Sequence, residues 1–151
     1  MIREARLPNL NYRKAGREDV QGIESCIDAA YSVYADKIAD LPDVSGGVAT
    51  DIVQDHVWVA LSDQQIVGVA IAVYAGSSMK LANIAVDPNF SGRGIAAKLF
   101  ELVTQKAAQL GCREIVLNTH AEMTGNLGLY AHWGFAETGR EGDTVSLRKV
   151  L

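Results

Sequence analysis

Residues 79–97, MKLANIAVDPNFSGRGIAA, constrain this chain more than any other stretch. They read as a buried strand, a polar turn and a glycine loop that opens a helix. Leu81, Ala82, Ile84, Ala85 and Val86 carry the strand. Asp87-Pro88-Asn89 ends it, because proline lacks the amide a central strand must donate, and Asp and Asn favour turns. Gly92 and Gly94 permit unusual φ and close approach to the backbone. The following helix starts with N–H groups that no helical carbonyl accepts, at the positive end of its dipole. Such a loop binds phosphate through backbone amides alone. The segment therefore predicts a phosphorylated ligand.

Helical spacing after Ile95 supports that reading. Ile95, Leu99, Leu102, Val103 and Leu110 share one face, and Gly111 ends the helix. Upstream, a short strand is expected over Asn11–Ala15. A helix follows it, with Arg17-Glu18-Asp19 in its first turn and Val20, Ile23, Cys26, Ile27, Ala30 and Tyr31 on its buried face. Residues 36–50 are irregular, and a helix is expected around Val48–Gln54. His56–Leu61 and Gln65–Tyr74 read as a hairpin joined by Ser62-Asp63-Gln64. Ile115–Thr119 is a strand, Gly125–Trp133 a short helix, and Phe135–Arg140 with Thr144–Val150 a closing hairpin. Trp58 and Trp133 are expected in the core. The expected fold is α/β (α+β): a mixed, mostly antiparallel sheet of six to seven strands, flanked by about four helices.

At 151 residues the chain is expected to be one domain, 1–151, without repeats or linkers. No run approaches the roughly 20 apolar residues of a membrane span, and the charged start, MIREARLPNLNYRKAG, lacks a signal core. The expected compartment is the cytoplasm, with no membrane partner. Cys26 and Cys112 read as free buried thiols. His56, His120 and His132 have no metal-ligand spacing, so no metal is expected. A net charge of −4 argues against a nucleic-acid partner.

Two motifs carry a family resemblance. Ser91-Gly92-Arg93-Gly94-Ile95-Ala96 follows the pattern [Gln/Arg]-x-x-Gly-x-[Gly/Ala], departing only at Ser91. Tyr130-Ala131-His132-Trp133-Gly134-Phe135 follows Tyr-x-x-x-Gly-Phe throughout. In this order and spacing they resemble the GNAT superfamily of acyl-CoA-dependent N-acyltransferases, across essentially the whole chain. Gly92-x-Gly94-x-x-Ala97, with Glu114 farther on, also satisfies a dinucleotide fingerprint. Its context is wrong for that, because a strand meander precedes the loop and polar turn residues separate it from Val86.

The resemblance implies acetyl-CoA as co-substrate. Ile84, Ala85 and Val86 would meet the pantetheine arm as an added strand does, and a bulge would splay this strand from Ile115–Thr119. The amides of Gly92, Arg93, Gly94, Ile95, Ala96 and Ala97 would cradle the pyrophosphate, with Asn126 and Tyr130 also on the cofactor. Tyr130 would protonate the departing thiolate. The acceptor would be a small amine or peptide amine, walled by Tyr31, Tyr34, Asn83, Asn118 and the 36–50 segment. A monomer or homodimer is expected.

The motifs do not name the group that takes the amine's proton. A lysine-type amine is neutral in only about 1 molecule in 10³ at pH 7. Where relatives carry a Glu twelve residues before the Tyr, this chain has Asn118. Another relative's Glu corresponds to Lys80, and the family's Asn before the Tyr is Met123. Water relayed by backbone carbonyls and Asn83 is the favoured replacement, with His120 second and Glu122 a further candidate. The competing reading is a non-catalytic acyl-CoA-binding module or sensor. A protein or tRNA modifier would want a basic stripe that this chain lacks.

Overall fold

The computed structural model describes residues 9–35 and 47–151. Its strands are β1 (Leu10–Lys14), β2 (His56–Ser62), β3 (Gln65–Ala75), β4 (Ser78–Val86), β5 (Glu114–His120), β6 (Ala136–Glu141) and β7 (Thr144–Val150). Its helices are α1 (Val20–Ala35), α2 (Val48–Gln54), α3 (Ile95–Gln109) and α4 (Thr124–His132). Single 3-10 turns occupy Arg17–Asp19 and Pro88–Phe90. The strands form one sheet in the order β1-β2-β3-β4-β5-β7-β6. Among the described residues only the β4–β5 pair is parallel.

β2 and β3 are near-continuous apolar runs because both of their faces are covered. On one face, Ile95, Leu99, Phe100 and Val103 of α3 pack on Trp58, Ala70, Met79 and Leu81. On the other, Ile23, Cys26 and Ile27 of α1, with Val48 of α2, pack on Val57, Val59, Val69, Ile71 and Ala85. Trp58 is buried, and the half-buried Trp133 stacks on Phe100 at 4.6 Å between ring centroids. The helix expected near Val48 is there; residues 36–46 lie outside the described residues. Both cysteines are free and buried. Burial foremost, then the Asp87 charge, pushes the Cys26 thiol up to about 12. Among the described residues no helix is long and apolar enough to cross a membrane.

A few boundaries differ from the sequence reading. The 17–19 turn precedes α1 instead of belonging to it. Phe135 is turned into the core, and β6 starts one residue later. His120 was expected beyond the end of its strand, yet it is the last residue of β5 and pairs with Thr144.

The feature that matters for function is where the sheet parts. β4 pairs with β5 only at Ser78↔Glu114, Met79↔Ile115 and Lys80↔Val116. Beyond Lys80 the two strands are not paired. At the same place β4 shifts register against β3: Leu81 opposes Ala72 and Asn83 opposes Ile71, so Ala82 is the extra residue of a bulge. An extra residue reverses the alternation of side chains. Met79 and Leu81 face α3 before the bulge, and Ile84 and Val86 do so after it. Ala85 consequently joins the α1 face.

Candidate functional site

The glycine loop lies at the end of β4. Asp87 accepts a hydrogen bond from Asn89 N–H (2.9 Å), which fixes the 3-10 turn. Ser91 donates its hydroxyl to Pro88 O (3.0 Å), so this side chain is folded back onto the turn. Arg93 lies over the Phe90 ring, 5.0 Å from its centroid. Gly92 and Gly94 have φ of 78° and 77°, which L side chains adopt only at a cost. A Cβ at either would meet nothing within 4 Å, so open space faces both. The first helical bond of α3 is Lys98 N–H to Gly94 O (3.1 Å). The N–H groups of Ile95, Ala96 and Ala97 therefore have no intrahelical acceptor. With no acidic residue in the first turn of α3, the loop fits a diphosphate.

At the parting of the sheet, side chains from both faces meet. The bulge turns Asn83 toward α1, where Tyr31 donates its hydroxyl to Asn83 Oδ1 (3.3 Å). Tyr130 of α4 is buried on the other face against Trp133 and Phe135, both edge-on at 5.9 and 5.7 Å. Burial above all raises the Tyr130 hydroxyl far above its ordinary value, and Tyr31 and Tyr34 raise it further. Burial, then Tyr34, raises Tyr31 as well. Tyr34 reaches the start of α4, its hydroxyl 3.5 Å from where a Gly125 Cβ would stand. The structure thus brings Tyr31, Tyr34, Asn83 and Tyr130 together. Sequence reasoning missed that the Tyr34 hydroxyl packs beside Gly125 at the start of α4, because no local pattern links these two positions.

Other expected site residues stand elsewhere. Asn118 is exposed and accepts from Ser146 Oγ through Oδ1 (2.9 Å). Asn126 donates to Met123 Sδ (3.6 Å), inside the first turn of α4. His120 Nδ1 accepts Glu122 N–H (3.1 Å), so the neutral ring carries its proton on Nε2, which lies 3.8 Å from Asp143. The Nδ1 lone pair of His120 is therefore engaged. Among the described residues, no Asp or Glu hydrogen-bonds or ion-pairs with Tyr31, Tyr34 or Tyr130.

A sequence model of the Acetyltransferase (GNAT) family matches residues 27–135. The chain belongs to this family. It is 34% identical over 89 residues to N-acetyltransferase 8B of Homo sapiens, covering 55% of this chain and 39% of that protein. It is 37% identical over 71 residues to N-alpha-acetyltransferase 30 of Saccharomyces cerevisiae, covering 42% of this chain and 40% of that protein. The chain thus spans well under two thirds of these relatives. The fold is that of PaiA N-acetyltransferase from Thermoplasma acidophilum, solved in complex with coenzyme A. The TM-score is 0.86 at 15% identity, covering 95% of this chain and 99% of that one. It is likewise that of the ribosomal-protein-S18-alanine N-acetyltransferase of Escherichia coli, with a TM-score of 0.78 at 18% identity and 94% of each chain covered.

Proposed function

We propose that this GNAT domain transfers the acetyl group of acetyl-CoA to the primary amine of a small molecule or peptide, by direct attack. The observation that carries this reading is the parted β4–β5 pair, with the glycine loop at one end and the buried Tyr130 beside the gap. Acetyl-CoA supplies a thioester activated toward amines. The β4 edge at Ile84, Ala85 and Val86, which β5 leaves unpaired, holds the pantetheine amides by strand addition. The amides from Gly92 to Ala97 hold the pyrophosphate, and Asn126 flanks the cofactor from α4.

Tyr130 is neutral at pH 7 as any phenol is, and burial, then its tyrosine neighbours, raise its hydroxyl further. It therefore offers an O–H to the charge that develops on sulfur. A thiol of pKa ~8.5 is a stronger acid than such a phenol, so Tyr130 stabilises the thiolate without ionising first. The proton that reaches sulfur is the one the amine releases, relayed through water and the Tyr130 hydroxyl. The hydrogen bond to Asn83 and the engaged Nδ1 of His120 favour water over His120 as the first proton acceptor. Tyr31 and Tyr34 form the acceptor wall. The two free thiols support a cytoplasmic setting.

Among the described residues no carboxylate bonds to the tyrosine cluster, which favours, as second reading, an acyl-CoA-binding module without turnover. Free-thiol release from acetyl-CoA, followed over a panel of amines, separates the two. Turnover of at least one amine is expected, and Tyr130→Phe should lower kcat by roughly 10²-fold while acetyl-CoA affinity changes little. Tight acetyl-CoA binding with no amine acetylated would establish the second reading instead.

A further inference from the structure

Among the described residues, α1 packs on β3 and β4, and Lys80, Asn118 and Arg148 on the same face of the sheet are exposed. There a groove of about 430 Å³ runs across β4, β5 and β7. Its first row is set by strand pairing: Lys80 opposes Val116, and Val116 opposes Arg148. With strands about 4.8 Å apart, the two cations flank Val116 and their long side chains can close over it. Lys80 is exposed and has no hydrogen-bond or ion-pair partner among the described residues.

Arg148 turns its Nε to Glu114 Oε1 (3.4 Å), and its side chain stays half exposed. Glu114 is held at the end of the groove, accepting from Ser78 Oγ through Oε2 (2.6 Å). In the next row Asn118 accepts through Oδ1 from Ser146, leaving its amide hydrogens as donors. Two cations face one carboxylate here, a local positive surplus on a chain of net charge −4. Opposite charge is what such a surface selects.

We propose that this groove binds a carboxylate of the acceptor, held by Lys80, Arg148 and the Asn118 amide. The inference rests on the acetyl-transfer reading above, which puts the amine beside Asn83 and Tyr130. Lys80 and Asn83 lie three residues apart on β4, about 10 Å along the strand. An extended chain covers that distance in about three residues. The acceptor is thus an amine with a carboxylate some three residues away, from either a free C-terminus or an acidic side chain.

The test is binding to the protein saturated with coenzyme A, followed by backbone amide shifts. The probes are Ala-Ala-Ala with a free C-terminus, its C-terminal amide, and Ala-Ala-Asp amide. At least one of the two acids should bind tenfold or more tighter than the neutral tripeptide and move the amides of residues 80, 116 and 148. Which acid does so identifies the source of the carboxylate. Lys80→Ala combined with Arg148→Ala should erase the preference, with acetyl-CoA affinity as the check that the variant is folded. Equal affinity for acid and amide, no binding of any probe at millimolar concentration, or a preference surviving in the double variant would overturn the inference. Acetylation of other amines would then still stand. Selective binding of an acid without its acetylation would defeat the proposed activity and leave this site in place.

Discussion

Gly94→Glu and Gly111→Glu form a matched pair that separates backbone strain from ligand contact. Both glycines are left-handed, with φ of 77° and 78°, and neither has anything within 4 Å of a built Cβ. The conformational cost is therefore alike, about 1–2 kcal/mol each. They differ in position. Gly94 caps the N-terminus of α3. Gly111 closes its C-terminus, where Cys112 N–H reaches back to Ala107 O (2.9 Å). A carboxylate at the N-terminus gains roughly 0.3–1 kcal/mol from the helix dipole and loses a similar amount at the C-terminus. Gly111→Glu should thus be the less stable protein, by several degrees at about 2–4 °C per kcal/mol.

Acetyl-CoA binding should rank the other way. At about 5 Å in water two unit charges repel by about 0.8 kcal/mol, and a diphosphate with two such charges opposes the new carboxylate by about 1.7 kcal/mol. That alone weakens binding more than tenfold, and raising the salt should reduce the defect. Thermal unfolding and calorimetric titration with acetyl-CoA measure both quantities on the same samples. If folded Gly94→Glu binds acetyl-CoA as the parent does, the phosphate assignment of this loop is wrong. If Gly94→Glu is the less stable of the pair, the dipole argument fails.

Gly68→Ala should cost about 1–3 kcal/mol in urea unfolding, because its Cβ would stand 2.7 Å from Ile95 Cγ2 and 3.3 Å from Ala60 Cβ, at the seat of α3 on β3; an unchanged midpoint would show that α3 shifts freely. Asp19→Asn removes the charge from a carboxylate that Arg13 grips at 2.7 and 3.0 Å, an expected loss of about 1–3 kcal/mol at pH 7. The Arg13 hydrogen bonds hold Asp19 below its usual value, so this contribution is full above about pH 4 and fades as pH falls through the lower folded value. A stability gap between parent and Asn variant that persists undiminished in acid would contradict that sign. His120→Ala should lower kcat/KM less than tenfold, with the rate still rising toward the amine's own pKa. A loss of about 10²-fold or more would make His120 the base.

Much of the fold was legible because local and global signals agree. The apolar runs of β2 and β3, the 3.6-residue period of α3, and the turn residues after Val86 each specify one state. So do the glycines that leave left-handed backbone at 92, 94 and 111. The glycine loop was legible for the same reason, being built from contiguous residues. The tyrosine cluster was only half legible. Tyr31, Tyr34 and Asn83 were marked as an acceptor wall and do meet, but their meeting with Tyr130 depends on contacts between α1 and α4 across the sheet. No period in the sequence encodes that. The bulge at Ala82 was anticipated as a splay but not as a change of face, because LANIAV reads equally well in either register. For Asn118 nothing local gave its hydrogen-bond partner, Ser146, 28 residues away.

The bulge ties these parts into one argument. With strict alternation from Met79 and Leu81, Asn83 would point at α3 and Ile84 at α1. That would bury an amide in an apolar layer, at a cost of about 1–3 kcal/mol. The extra residue at Ala82 instead gives Asn83 to Tyr31 and returns Ile84 and Val86 to the α3 layer. It lies just past Lys80, where β5 ceases to pair, so the gap and the change of face have a common origin. Helices on opposite faces can then touch through the sheet, as Tyr34 and Gly125 do. A phenol placed there is dry enough to stay neutral while lying within reach of both faces. On the proposed reading, that lets the acyl donor enter from the α3 loop and the amine from the α1 side without competing for space.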